Sequence, residues 1–317
     1  MRVKDIAFKN AEHVIEEIKN MNVKGGSPFG RAAAWAFRLA CEQEEFENPA
    51  ALQKRMRDIA EQMLALKPTM ATIYNTWHLV EQVMMESGAA VQNLKQSIIR
   101  LCTNIITYSF DAVEQLGEYG AAMIQENEVI MMHSYSSTLM GIFIKAAEMG
   151  KRFTVICTES RPLRESRLAV KMLRGAGISV IYITDASIYE FLPKADIVIM
   201  GADTLCANGS AANKMGTAMI AKLAKACKKD VYIASELYKL DVRTQYGYQV
   251  VLERRSEWEI LQTDDFESLE GIDVVNQFFD ITPAADIQGI ICEYGILPPS
   301  LMLTYWNKLE CRVKEGI

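Results

Sequence analysis

Five short apolar runs, rich in β-branched residues, constrain this chain more than any other feature. They are VIMMH (129–133), FTVICTE (153–159), ISVIYIT (178–184), DIVIMG (196–201) and DVYIAS (230–235). A strand with one wet face alternates apolar and polar residues; unbroken apolar runs of this length belong to strands covered on both faces. Stretches of helical character separate them, at 137–149, 163–175 and 211–227. Strand and helix in alternation imply right-handed crossovers, and so a parallel sheet clothed by helices.

The first 120 or so residues read differently. The segment DIAFKNAEHVIEEIK (5–19) spaces Ile6, Val14 and Ile18 at helical intervals. RAAAWAFRLACEQ (31–43), 49–65, 69–87 and 88–118 are further helix candidates built from good helix formers. The chain therefore divides into a helical N-terminal domain, 1–122, and an α/β domain, 123–317. Within the latter, 240–275 is polar and without periodicity. FFDITPAADIQGIICEYGILPPS (278–300) reads as a short strand, a helix opening at Thr282–Pro283, and a turn.

Composition narrows the function. A net charge of −6 with no long basic run gives no general attraction for nucleic acid. No stretch has the ~18–20 apolar residues of a membrane span, and the charged N-terminus lacks an apolar signal core, so the expected location is the cytoplasm. The seven cysteines form no CxxC and lie mostly in apolar runs, as free thiols packed in the core would. The three histidines are far apart, and no metal-ligand spacing or cofactor motif is present.

In a parallel sheet, ligands sit beyond the carboxyl ends of the strands. After 129–133 come Ser134, Tyr135, Ser136, Ser137 and Thr138, the last three opening a helix whose free N–H groups attract phosphate or are merely capped. Lys24, Gly25, Gly26 and Ser27 precede Pro28, with Arg31 near; this is an anion loop or a plain turn before a helix. Asp203 follows Gly201 and Ala202 at the end of a buried strand, where it bonds sugar hydroxyls, exchanges a proton, or closes an Asx turn. Asn213, Lys214 and Lys239 lie at the same sheet edge. A carboxylate, an amide and two ammonium groups converging there favour a polar phosphorylated ligand over an apolar one.

These residues carry a resemblance. GADTLCANGSAANKMGT (201–217), VKGGSPFGRAAAWA (23–36), LKPTMA (66–71), TESRPLRESRLAVKML (158–173), ELYKLD (236–241) and FDITPAADIQGIICEYGILPPS (279–300) resemble, in order, motifs of one superfamily. It comprises the regulatory α, β and δ subunits of initiation factor 2B, methylthioribose-1-phosphate isomerase and ribose-1,5-bisphosphate isomerase. The resemblance implies an N-terminal helical domain followed by a Rossmann-like parallel-sheet domain, and a homodimer or higher homo-oligomer built through the latter.

For the isomerases it further implies that Lys24, Gly25, Gly26 and Ser27 line the substrate. Lys67 stands where a basic residue binds phosphate, and Ser136, Ser137 and Thr138 hold a phosphate. Asn213, Lys214 and Lys239 complete the pocket, and Asp203 is the catalytic acid. An aldose 1-phosphate cannot open its ring unaided, because its anomeric oxygen is esterified, so an acid is needed. In one respect the chain departs from that pattern. The isomerases place a cysteine after the strand-end histidine, as partner of the aspartate; here the pair is His133–Ser134. A hydroxyl is a poorer base than a thiol unless another group activates it; Cys206 and Cys157 are the nearby thiols. The expected function is aldose-ketose isomerisation of a sugar phosphate resembling ribose 1,5-bisphosphate, with Asp203 and Ser134 at the reaction centre. The alternative is a non-catalytic initiation-factor-2B-like regulatory subunit that binds sugar phosphates or nucleotides.

Overall fold

A computed structural model of the chain describes residues 5–86, 90–262 and 264–316. Five helices come first: α1 (Ala11–Lys19), α2 (Gly26–Gln43), α3 (Pro49–Leu66), α4 (Ala71–Glu86) and α5 (Val91–Met123). Asn10 and Asn48 cap α1 and α3 through side-chain oxygens that accept from His13 N and Ala51 N. The first helix starts at Ala11 rather than near residue 5, because Asn10 supplies the cap. The expected helix ends at 87 and 88 fall outside the described residues.

The remainder contains β1 (Val129–Met132), α6 (Ser137–Glu148), β2 (Thr154–Thr158), α7 (Ser166–Gly175), β3 (Ser179–Ile183), the short α8 (Ile188–Phe191) and β4 (Ile197–Gly201). Next come β5 (Thr204–Cys206), β6 (Ala211–Lys214), α9 (Thr217–Ala226), β7 (Asp230–Ala234) and β8 (Leu240–Asp241). The chain closes with β9 (Arg254–Arg255), β10 (Asn276–Gln277), β11 (Phe279–Thr282), β12 (Gly289–Cys292), β13 (Gly295–Leu297) and α10 (Met302–Glu315).

The main sheet has seven strands in the order β13-β12-β7-β4-β1-β2-β3, parallel except for β13 at one edge. All five apolar runs are strands within it. In the four inner runs, β1, β2, β4 and β7, the side chains alternate between two largely buried faces. Ile130, Met132, Val155, Cys157 and Ile199 pack with α6 and α7, whereas Met131, Ile156, Val198 and Met200 join the core shared with α9, α10 and the helical half. Burial on both sides is why these four show no polar alternation; β3, at the sheet edge, departs from the expectation and leaves Ile181 and Tyr182 exposed. The core shared with the helical half is continuous from Ile18 and Phe37 to Val231 and Trp306.

Two expectations need correction. The stretch 211–227 is not one helix: Ala211–Lys214 is a strand in a second, four-stranded sheet of order β11-β6-β5-β8, and the helix begins at Thr217. Small residues leave helix propensity in 211–214 undirected, and antiparallel pairing of Asn213 with Asp280 and Lys214 with Phe279 decides the outcome. Likewise Thr282–Pro283 opens only a short 3-10 turn, and Gly289–Cys292 is an inner strand of the main sheet between β7 and β13.

Candidate active site

The strand order reverses between β1 and β4, since β2 and β3 lie to one side of β1 and β7 and β12 to the other side of β4. Loops leaving the carboxyl ends of such a pair diverge and open a crevice. A cleft of about 470 Å³ lies there, walled by residues after β1 (Ser134–Ser137) and β4 (Gly201–Asp203), by Asn213 and Lys214 of β6, and by Lys239. The helical half supplies the opposite wall with Lys24, Gly25, Gly26 and Lys67.

Eleven of the thirteen residues singled out from the sequence thus line one cleft. Ser27 and Thr138 do not; both are buried behind the walls. Arg31 also turns inward, gripping the Asp5 carboxylate through Nε and Nη2 and donating to Ser109 Oγ at 3.0 Å. Sequence reading missed Glu165, Glu253, Arg255 and Phe278 in the wall. Five cations, Lys24, Lys67, Lys214, Lys239 and Arg255, face three carboxylates, Glu165, Asp203 and Glu253. In a chain with net charge −6, this local excess of positive charge favours a polyanionic ligand.

Four of the five cations are held by named partners. Lys239 Nζ donates to the Ala202 carbonyl at 2.7 Å. Lys214 Nζ lies 3.4 Å from the Phe278 ring centroid and 3.1 Å from Glu165 Oε1. Lys67 Nζ meets Glu253 Oε1 at 3.2 Å, and the Arg255 guanidinium lies over the Phe278 ring, Cζ 4.6 Å from its centroid, while Glu259 binds it. Burial depresses the Lys214 and Lys239 ammonium groups, opposed by Glu165 at the first and by Glu236 and Asp203 at the second.

Two helix N-termini open on this space. The first turn of α2 follows Gly25, at φ +91°, and no side chain caps it. Its free N–H groups beside Lys24 make an anion cradle. The start of α6 is capped by Ser136 Oγ, which accepts from Leu139 N at 3.3 Å, so capping and lining coexist at that residue. Close approach fixes glycine at Gly201, where an added Cβ would stand 2.9 Å from Ser136 Oγ.

Asp203 differs from the other carboxylates. Among the described residues nothing donates a hydrogen bond to its carboxyl group, and Lys239 and Lys214 act on it from a distance. Burial raises its pKa, and the two ammonium groups oppose that rise. A protonated fraction therefore persists above the usual carboxylate range, which suits a general acid.

Ser134 lies in the same wall with φ +65°, a conformation rare for a residue with a side chain. Its N–H donates to Ser160 Oγ at 2.7 Å. The neighbouring His133 gives its hydroxyl no help. Nε2 donates to the Met215 carbonyl at 2.8 Å, leaving Nδ1 to accept from Thr158 Oγ1 at 2.7 Å, and burial keeps the ring neutral. Among the described residues no cysteine lines the cleft. Cys157 and Cys206 are buried elsewhere, and burial pushes their thiols up to about 12 and about 11.

A doubly wound sheet with a cationic cleft at its switch point, facing a helical half, places the protein among α/β proteins that take a polyanionic ligand at the strand ends. Residues 22–299 match the Initiation factor 2 subunit family, and the chain belongs to that family. Ribose 1,5-bisphosphate isomerase of Archaeoglobus fulgidus is 37% identical over 286 residues, covering 90% of this chain and 89% of its own. The enzyme of that name from Thermococcus kodakarensis is 35% identical over 295 residues, covering 92% of each. A crystal structure titled as translation initiation factor eIF-2B of Pyrococcus horikoshii OT3 superposes with a TM-score of 0.77 at 29% identity, covering 91% of this chain and 97% of that one.

Proposed function

We propose that this protein is an aldose-ketose isomerase acting on ribose 1,5-bisphosphate or a close analogue. The observation that carries the reading is Asp203: a carboxyl to which no described residue donates, set between two walls rich in cationic and hydrogen-bond-donating groups. The relatives named as ribose 1,5-bisphosphate isomerases support it over nearly the whole chain. The cradle of Lys24, Gly25 and Gly26 with Lys67 and Arg255 would take one phosphate. Ser136 and Ser137, with Lys214 and Asn213, would take the other.

Protonated Asp203 gives its proton to the ring oxygen, and the bond from C1 to that oxygen breaks. The hydrogen on C2 must then reach C1. Ser134, with no base on its hydroxyl, cannot accept it as a proton. It moves as a hydride, the electron pair on O2 forms the ketone, and the O2 proton returns to the Asp203 carboxylate. Ser134 bonds the reacting hydroxyl and orients it. Charges and atoms balance with one carboxyl group restored to its first state.

A homodimer or higher homo-oligomer in the cytoplasm completes the reading. Ile181, Tyr182 and Tyr189, exposed at the β3 edge and just beyond it, provide apolar surface for assembly. Ser134 in place of a thiol favours a second reading, a regulatory subunit that binds the sugar phosphate without turning it over. Incubation with ribose 1,5-bisphosphate and with methylthioribose 1-phosphate, followed by ³¹P NMR, separates the two. Ketose formation that Asp203→Asn abolishes supports the enzyme; tight binding with no ketose refutes it.

A further inference from the structure

Helix α4 carries a polar stripe where burial leads one to expect apolar residues. Thr72, Asn75 and Thr76 stand at i, i+3 and i+4 on one face, and each is fully buried. Buried polar groups destabilise a fold unless they are partnered. Each of these three reaches out of its helix to a segment that bears the cleft. Thr72 Oγ1 donates to the Gly26 carbonyl at 2.8 Å, and Thr76 Oγ1 lies 2.9 Å from the Tyr238 hydroxyl. Asn75 Nδ2 donates twice, to the carbonyls of Tyr238 at 2.7 Å and Leu240 at 2.9 Å.

Those two carbonyls flank Lys239. The residue ends a three-residue turn, Leu237–Lys239, whose first N–H donates to the Glu293 carboxylate at 3.1 Å. Beyond it, β8 is two residues long. Asn75 therefore fixes the turn on the side of the helical half. From there the Lys239 stem passes Gly26, where an added Cβ would meet Lys239 Cε at 2.8 Å, and its ammonium ends on Ala202, next to Asp203. Among the described residues nothing donates to the buried Asn75 Oδ1 atom. An apolar side chain here would withdraw the donor from the Tyr238 and Leu240 carbonyls, so the amide is held at this position by the backbone on either side of Lys239.

We infer that Asn75, which lies outside the cleft, is a positioning residue that sets the place of the Lys239 ammonium relative to Asp203. Its effect on ligand rests on the sugar-phosphate reading of the cleft; its effect on Lys239 does not. A displacement of about 1 Å in a binding group lowers its contribution on the order of a hundredfold at most, so about tenfold is a fair expectation for loss of both bonds.

The test uses the full chain and two readouts. In the first, Asn75→Ala is made with Lys239 intact and in a Lys239→Met background, and ribose 1,5-bisphosphate affinity is measured by calorimetry. Kd rises about tenfold with Lys239 present and less than about twofold without it, while Tm falls equally in both. Equal affinity losses in the two backgrounds overturn the inference. Should the alanine variant not fold, Asn75→Ser keeps one donor and gives a smaller loss with the same dependence on Lys239. The second readout needs no ligand. With ¹³C-labelled lysine, the Lys239 Cε resonance, assigned by its disappearance in Lys239→Met, shifts in the Asn75 variant while those of Lys67 and Lys214 stay. An unmoved Lys239 signal overturns the inference. Failure of the wild-type protein to bind ribose 1,5-bisphosphate overturns the functional reading instead and leaves the resonance to decide.

Discussion

Gly26→Ala tests how tightly the two walls of the cleft are fitted. A Cβ at this position stands 2.8 Å from Lys239 Cε, 3.0 Å from Lys239 Cδ and 3.0 Å from the Asp203 carbonyl oxygen. Carbon atoms rest at about 3.5–4.0 Å, so relief requires a shift of roughly 0.7 Å or more. Lys239 is 4% exposed and bonded through Nζ, so its stem cannot simply swing into solvent. Either that bond breaks or the start of α2 retreats, and both change the separation between the anion cradle and Asp203. Overpacking of this kind costs about 1–3 kcal/mol, offset by about 0.4–1 kcal/mol from the stiffer unfolded chain. The net is a Tm lower by a few degrees in a protein that still folds. Misplacement approaching 1 Å lowers kcat/KM by about tenfold to a hundredfold. The assay is ³¹P NMR of ribose 1,5-bisphosphate conversion, with Gly175→Ala as control, since a Cβ there meets nothing within 4 Å. A folded Gly26→Ala protein with kcat/KM within about twofold of wild type would refute the claim that this contact sets the cleft.

Three further outcomes follow from the site and its surroundings. Because burial raises the Asp203 pKa and Lys239 opposes the rise, activity falls as pH climbs through that pKa; Lys239→Met moves this alkaline limb to higher pH in a kcat profile, and a downward move contradicts the assignment of Asp203 as acid. Substrate deuterated at C2 keeps its label at C1 of the ketose; exchange of the label with solvent would mean that a base in the cleft takes a proton. Glu293, buried and bonded by the Tyr108 hydroxyl and Leu237 N–H, is pushed up to about 7, chiefly by burial, so the native state holds a proton that the unfolded chain releases near 4.5. Its contribution is complete below about pH 4.5 and is lost as pH rises through 7, on the order of 3 kcal/mol; urea titrations at pH 5 and 8 should show a smaller difference in Glu293→Gln, and an unchanged difference excludes Glu293 as the source.

The sequence was informative where physics is local. Strands buried on both faces must be apolar throughout, so the runs that became β1 and β4, with the loops that follow them, pointed to Ser134, Ser136 and Asp203. The second sheet was silent, because Ala211–Lys214 becomes a strand only by pairing with Phe279–Thr282, a partner 65 or so residues away. The stretch 240–275 hid Glu253 and Arg255 for the same reason: two-residue strands and 3-10 turns leave no periodicity, and what holds Arg255 is Glu259 and the Phe278 ring. Ser27 and Thr138 were over-read, since a helix start displays its first N–H groups to a ligand but turns some side chains inward. The asparagine at 75 is the harder case. Inside a helical pattern its polarity looks like noise, yet its buried amide nitrogen needs acceptors, and these are the carbonyls on either side of Lys239. Asp203 and Lys239 come from the α/β half, whereas their spacing is governed from α2 and α4 through Gly26 and Asn75. The geometry of the cleft thus depends on the helical half as a ruler, through a close contact at Gly26 and hydrogen bonds from Asn75 to segments about 160 residues away.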